Sequence, residues 1–285
     1  MRYGHTAVLI EDTVYIWGGV VSCNVNGTKW MAITGNGDGV LHAFDVDTHG
    51  WFKPQVSGNV PGARSGHSAC VLEKVMFVHG GHGLSTRRHD DINKLDTAAM
   101  AWSLINTAGT TAPASSLHSA TAVGTKMFVF GGDRDQRHGV PAVRVFDTET
   151  ERWLETPPER QPVPPQQRHH AAFAHDGELY IFGGCNAADL TGEFNDLWRL
   201  DSETLSWRKV QPQGRGLRWF GKMYCCRVGG GDRVVLFGTR LFVHVLHLSP
   251  GLKSLCQLAV LRYGLEQAEL AHNSRWELAA MATET

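Results

Sequence analysis

An aspartate followed six positions later by a tryptophan occurs at Asp45/Trp51, Asp96/Trp102, Asp147/Trp153 and Asp201/Trp207, in steps of 51, 51 and 54 residues. Spacing that regular belongs to a repeat architecture, in which a unit buries its apolar face only by stacking on its neighbours. Ahead of each pair an apolar run closes on two glycines, Gly18-Gly19, Gly80-Gly81, Gly131-Gly132 and Gly183-Gly184. Ahead of each run stands a histidine, at His5, His67, His118 and His170. Short β-rich runs in units of about 50 residues are best buried as the blades of a radial β-propeller.

One unit reads as one blade of four strands. In the second unit, residues 67–72 read as the innermost strand, Glu73-Lys74 as a turn and residues 75–78 as the next strand. The first two strands are nearly continuous apolar runs, as expected where both faces of a sheet pack against neighbours. Residues 92–95 form a third strand ending at Asp96, and the turn 97–100 leads to Trp102 on an outer fourth. The aspartate is expected to accept hydrogen bonds from turn amides, and the indole to fill the wedge between blades. The double glycine marks a close backbone approach or a positive φ, where a Cβ is costly. The four histidines are expected to be buried and hydrogen-bonded to backbone. Because blade symmetry spreads them around a ring, they do not converge on a metal. The nearby group His79, His82 and His89 is likewise read as structural.

A fifth unit is degraded but legible, with strands in 223–228, 234–238 and 242–248. The chain opens inside a repeat, so an N-terminal blade is expected to be missing, leaving five blades or an open arc. The extra stretch 26–40 and the short passage from Gly238 to Phe242 both break the repeat and point to a disturbed gene model. These expectations define an all-β propeller over residues 1–249 and a helical tail over 250–285.

With 27 basic and 28 acidic residues, no long-range field favours nucleic acid or an anionic membrane surface. Cys23, Cys70, Cys185, Cys225, Cys226 and Cys256 form no CxxC pair and do not follow the repeat. They read as reduced thiols rather than a zinc site or a disulfide framework. In Cys225-Cys226 the two side chains of a strand face opposite ways, which puts one thiol in the core. The start carries no leader-like apolar segment, and no apolar stretch is long enough to span a bilayer. No repeated acid/base pair, nucleophile elbow or metal spacing occurs, so the chain reads as a non-enzyme with no cofactor.

Beyond Pro250 the apolar period changes to three and four. Leu252, Leu255, Cys256, Ala259, Val260 and Tyr263 make one stripe of a helix. A second helical segment follows around Arg275–Leu278. From the residues alone, such a helix either seals the edge of the propeller or docks into a partner groove.

The double-glycine units resemble kelch repeats. The segments Met1–His5, Phe44–His49, Val60–Leu72 and Arg275–Leu278 are further similar to kelch-repeat substrate receptors of cullin-2 RING ubiquitin ligases. That resemblance extends over nearly the whole chain and implies a receptor for C-terminal degrons ending in glycine. Its partners would be elongin B/C, cullin-2, a RING subunit and peptide C-termini of substrate proteins, in the cytoplasm and nucleus. The family's elongin-binding box maps onto Leu252, Cys256 and Val260, with Leu255 on the same stripe; Gly251 stands where the family has a small hydroxyl residue or proline. The cullin-binding segment maps onto Leu270 to Leu278, but Leu270-Ala271-His272-Asn273-Ser274 lacks the family's proline. The degron pocket of the family uses arginines after a double glycine and a serine before a blade histidine. Here those positions fall on Arg134 and Arg137, and on His169 in place of the serine. Guanidinium forks suit a terminal carboxylate because they pair with it bidentately. The alternative implied by close relatives is a non-catalytic kelch scaffold held on meiotic chromatin by protein partners.

Overall fold

Val75–His79 shows why a repeat becomes a blade: four of its five side chains are buried, so it must be covered on both faces. It pairs antiparallel with Ser68–Leu72 on one side and with Ile92–Asp96 on the other, and Ala101–Ile105 adds outside. The computed structural model describes residues 2–25, 28–33, 40–83, 88–107, 114–134, 143–156, 162–186, 193–211, 223–228, 233–238 and 243–248. In the second blade, Ser57–Gly58 runs parallel to the outermost strand. The first blade repeats the four-strand order with Thr6–Ile10, Thr13–Trp17, His42–Asp45 and Gly50–Phe52. The third has Ser119–Val123, Lys126–Phe130, Val143–Asp147 and Arg152–Trp153, and the fourth Ala171–His175, Glu178–Phe182, Leu197–Asp201 and Trp207–Val210. Among the described residues the fifth has three strands, Met223–Val228, Arg233–Gly238 and Val243–His247. The architecture is thus an all-β propeller of five blades. The tail 250–285, with the helices expected there, lies outside the described residues.

The repeat aspartates do what their position demands. Asp96 Oδ1 accepts from the amides of Ala98 and Ala99 at 2.9 and 3.0 Å. Asp147 binds the amides of Glu149 and Thr150, and Asp201 those of Glu203 and Thr204. Asp45 binds the amide and hydroxyl of Thr48. These donors, foremost the threonine amides of Thr48, Thr150 and Thr204, hold Asp45, Asp147 and Asp201 below the usual carboxylate range.

The core is divided into wedges between blades. Trp17, Tyr15 and Leu41 of the first blade meet Met76, Val78, Leu95 and Trp102 of the second. Phe77 and Ile92 of the second meet Met127, Phe146 and Trp153 of the third. Phe128, Phe130 and Val145 of the third meet Ile181, Trp198 and Trp207 of the fourth, and Phe173 and Phe182 of the fourth meet Val234 and Leu236 of the fifth. Among the described residues no comparable cluster joins the fifth blade to the first. Trp102, Trp153 and Trp207 are 2%, 6% and 4% exposed, as the wedge expectation requires, but Trp51 is 65% exposed. Trp51 packs on Phe44 with ring centroids 5.0 Å apart, and Leu9, on the first strand of the same blade, is also exposed. The first blade therefore presents to solvent the side that every later blade buries.

His67, His118 and His170 are buried; His170 has the backbone partner expected of it, Gln167, and both His67 and His170 reach a hydroxyl on the preceding blade. His67 Nε2 lies 2.9 Å from Thr6 Oγ1, and His170 Nε2 lies 2.8 Å from Ser119 Oγ. Thr6 and Ser119 each follow their own blade's histidine by one position, so the ring contact is made by a dipeptide, not by the histidine alone. His5, on the first blade, is only half-buried.

The two glycines of a pair serve different contacts. A Cβ on Gly131 would come within 2.3 Å of Gln167 O and 2.8 Å of His170 Cε1, both on the next blade. A Cβ on Gly132 would meet its own blade's His118 Cβ at 2.7 Å. The amide of Gly132 donates to Gln167 O, as that of Gly19 donates to Arg64 O and that of Gly81 to Ser115 O. Interblade hydrogen bonds therefore run through the glycine pair itself.

The extra stretch is in part regular structure. Thr28–Ile33 pairs with Val20–Val25, whose first residues pair with Arg2–Tyr3. The disturbance expected there is thus a β-hairpin over its first half, because Val20–Val25 simply prolongs the strand pairing that follows the double glycine.

Two buried histidines make stability pH-dependent. Burial pushes His79 down to about 4 and His170 down to about 3. His79 Nδ1 lies 3.0 Å from Asp91 O, so that nitrogen carries the hydrogen, and burial outweighs this bond to keep the ring neutral. Both folded values lie below the unfolded one, so the unfolded chain takes up protons first. Their contribution is complete above about pH 6.5 and is lost as pH falls from there towards 4, at up to about 1.4 kcal/mol per pH unit for each histidine. Urea midpoints at pH 7, 6 and 5 should fall in that order. His79→Phe, which matches Phe130 and Phe182 at the same blade position, should give a shallower dependence.

Candidate functional site

The strand register sorts each blade into two ends. At one end sit the hairpin turns and the aspartate turns, since Val75 pairs with both Leu72 and Asp96. At the other end the double glycine and the residues before the blade histidine meet. There a short ladder recurs: Tyr3 opposite Val20, Ser65 opposite His82, Ser116 opposite Asp133 and Arg168 opposite Cys185. The residue between this ladder and the histidine has positive φ in every case: 68° at Gly4, 66° at Gly66, 60° at Leu117 and 62° at His169. Leu117 N donates to Gly66 O and Gly66 N to Gly4 O, which links the blades in a row at this end.

Three consecutive blades bring charge together here. Arg88, in the loop of the second blade, places Nη2 2.8 Å from Asp133 Oδ2 on the third. Arg168, on the fourth, places Nη1 3.6 Å from the same oxygen. The Arg168 side chain is 13% exposed, and its Nε is buried with no hydrogen-bond partner among the described residues. Arg88 and Asp133 are about one-third exposed. His82 lies beside them, and partial burial followed by the Arg88 charge lowers its pKa below the usual imidazole value. One carboxylate against two guanidiniums leaves this group of three side chains with a net positive charge.

A second buried arginine, Arg64, is fully used. Its Nη1 and Nη2 bind the two Asp91 oxygens at 2.6 and 2.9 Å, and Nη1 also reaches Gly80 O. It stacks over Trp17 at 5.9 Å, so it ties the second blade to the first. Below, the innermost strands line an open cavity of about 310 Å³, walled mostly by alanine and cysteine. Burial pushes the thiols of Cys70 and Cys225 up to about 12, and Cys225 Sγ donates to Ala172 O, whereas Cys226 is exposed. The alternation expected for Cys225-Cys226 is seen, and the buried thiols are protonated packing groups.

Of the site residues expected from sequence, Arg134 lies in the short strand Asp133–Arg134, paired with Ser115–Ser116. Arg137 lies outside the described residues. His169 sits at the positive-φ position between Arg168 and His170, half-buried, and its charge adds to the downward shift of His170. Leu252, Leu255, Cys256, Val260, Leu270 and Leu278 all lie outside the described residues. His79, His82 and His89 are not drawn together. His79 is fully buried against His118 and Trp153, and no grouping of three or more metal-ligating side chains occurs among the described residues. Sequence reasoning missed Arg88, Asp133 and Arg168. Two of them were findable, because Asp133 directly follows a double glycine and Arg168 directly precedes His169; Arg88 lies in a loop with no repeat position.

Repeated four-strand blades, double glycines wedged against histidines and a polar loop end define a kelch-repeat propeller. The chain belongs to the kelch family: residues 4–239 match the KLHDC2/KLHL20/DRC7 Kelch-repeats domain. Over 99% of its length it is similar to Kelch domain-containing protein 3 of Homo sapiens, 46% identical over 311 residues and covering 77% of that protein. The Mus musculus protein of the same name is 45% identical over the same extent. A more distant relative, Acyl-CoA-binding domain-containing protein 5 of Arabidopsis thaliana, is 28% identical over 75% of this chain and 32% of its own length. The matched family is one of interaction modules, and no catalytic family is indicated.

Proposed function

We propose that this kelch propeller is the substrate receptor of a cullin-2 RING ubiquitin ligase. It would read glycine-ended peptide C-termini at the loop end of the ring and dock elongin B/C through its tail. The observation that carries this reading is the tail stripe Leu252, Cys256 and Val260, at the spacing of the elongin-binding box, behind a propeller similar over 99% of the chain to Kelch domain-containing protein 3. A short apolar helix stripe is what a partner groove recognises, and guanidiniums at the loop end supply the charge that a terminal carboxylate needs. Arg134, Arg137 and His169 are the residues assigned to the peptide. Leu270 and Leu278 are assigned to cullin-2, and the complex would work in the cytoplasm and nucleus.

The test is co-purification of the chain with elongin B/C and cullin-2 beside a Leu252→Ala/Cys256→Ala variant. Capture of elongin B/C that falls at least about tenfold in the variant is expected, as for the loss of two anchors from a helix-in-groove contact. Absence of capture by the folded wild-type chain overturns the ligase reading.

A further inference from the structure

At the turn end of the propeller, the boundary between the second and third blades differs from the one before it. The hairpin turns Glu11-Asp12, Glu73-Lys74 and Gly124-Thr125 occupy equivalent positions, because Ile10 pairs with Thr13, Leu72 with Val75 and Val123 with Lys126. Between the first and second blades, Lys74 Nζ reaches across to Glu11 Oε1 at 2.6 Å. One boundary further on, the same two positions hold Glu73 and the short, neutral Thr125. Glu73 has no ion-pair partner among the described residues. The third blade is also small here, with Gly124 in the turn and Ala122 where the second blade has Val71. An open groove of about 610 Å³ results. Its floor is apolar: Leu72, Val75 and Ala122 stand half-buried at the margin of the wedge that Phe77 fills. Its rim is acidic, lined by Glu73, Asp96 and Glu149, and the lysine that lines it, Lys94, is bound to Glu151. Among the described residues no three metal-ligating side chains come close enough together to hold a metal ion, so the rim suits an extended organic cation.

We propose that this groove is a docking site for an internal peptide segment of a partner protein in which a lysine stands beside a large apolar side chain. The chain itself shows the fit. At the preceding boundary a lysine lies against the glutamate equivalent to Glu73, and in the groove the ligand's ammonium takes that place. The apolar neighbour covers Leu72, Val75 and Ala122, and burial of that surface supplies most of the affinity, since an exposed ion pair adds little. The rim charges set the selection, attracting a cation and repelling acidic segments and nucleic-acid phosphates. The groove lies at the opposite end of the blades from Arg88, Asp133 and Arg168, so a partner held there leaves the loop end free for a second ligand.

The test is a ligand-observed NMR titration of the whole chain with acetyl-Phe-Lys-Leu amide, the same peptide acetylated on its lysine, and acetyl-Gly-Lys-Gly amide. None of them carries a carboxylate, so no result depends on the reading of the loop end. The first should bind, and the other two should bind at least about tenfold more weakly. Glu73→Gln/Glu149→Gln should weaken the first by about threefold or more, and about 500 mM NaCl should shrink that difference. Ala122→Leu, which fills the floor, should weaken it by about tenfold or more. Melting temperatures check folding, and the exposed Glu73→Gln/Glu149→Gln pair carries the decision if Ala122→Leu fails to fold. No binding of the first peptide, equal binding of all three, or binding like that of wild type by either folded variant overturns the proposal.

Discussion

Trp102→Ala should lower the stability of the propeller by about 3–5 kcal/mol, whereas Trp51→Ala should cost less than about 1 kcal/mol. The two indoles occupy the same repeat position, six residues after the turn aspartate. Trp102 is 2% exposed and packs at 5.5 Å from Trp17 within the wedge between the first two blades. Its removal leaves a large cavity between rigid sheets that cannot collapse. Trp51 is 65% exposed and packs on Phe44. Equilibrium urea unfolding of the two variants measures both costs under one set of conditions. Equal costs would mean that the first blade is covered by something equivalent to a neighbouring blade.

Gly131→Ala should be still more damaging than its single added methyl suggests. At φ +70° an alanine is strained, by about 1–2 kcal/mol. Its Cβ would also lie 2.3 Å from the carbonyl oxygen of Gln167, an oxygen that already accepts the Gly132 amide across the blade boundary. Backbone cannot swing aside as a side chain can, so the boundary must open and the total cost should exceed about 3 kcal/mol. Gly124 is the matched control. It has φ +58° in a hairpin turn with nothing within 4 Å of its would-be Cβ, so Gly124→Ala should carry the backbone strain alone, about 1–2 kcal/mol. A large gap in melting temperature between the two variants is the expected result; a gap near zero would remove the close approach from the account of the double glycine.

The blade was legible because its signals are local. Strands two residues either side of Glu73-Lys74, the Asp96 turn and the positive-φ glycines follow from alternation, turn chemistry and sterics within one repeat. What the sequence did not disclose depends on the neighbour. The hydroxyl partners of His67 and His170 belong to the preceding blade, and nothing inside one repeat marks them out. Exposure of Trp51 follows from the absence of a blade against it among the described residues, although its own repeat is regular. The charge cluster was only half legible for the same reason. Arg88, Asp133 and Arg168 lie 35 to 80 residues apart in sequence, on three blades, and only ring geometry joins them. Asp133, bound by Arg88 at 2.8 Å and 3.6 Å from Arg168, is the acid that these two guanidiniums share.

The function proposed couples two events, reading of a peptide C-terminus by the propeller and its delivery to a ligase by the tail. The most direct measurement is the cellular half-life of a fluorescent reporter ending in glycine, with this chain expressed at a fixed level. The account predicts that the chain shortens the half-life. It also predicts that Leu252→Ala/Cys256→Ala abolishes the effect, and that capping the reporter's final glycine with further residues does the same. A reporter half-life unchanged by the chain, or shortened equally by the tail variant, would contradict it.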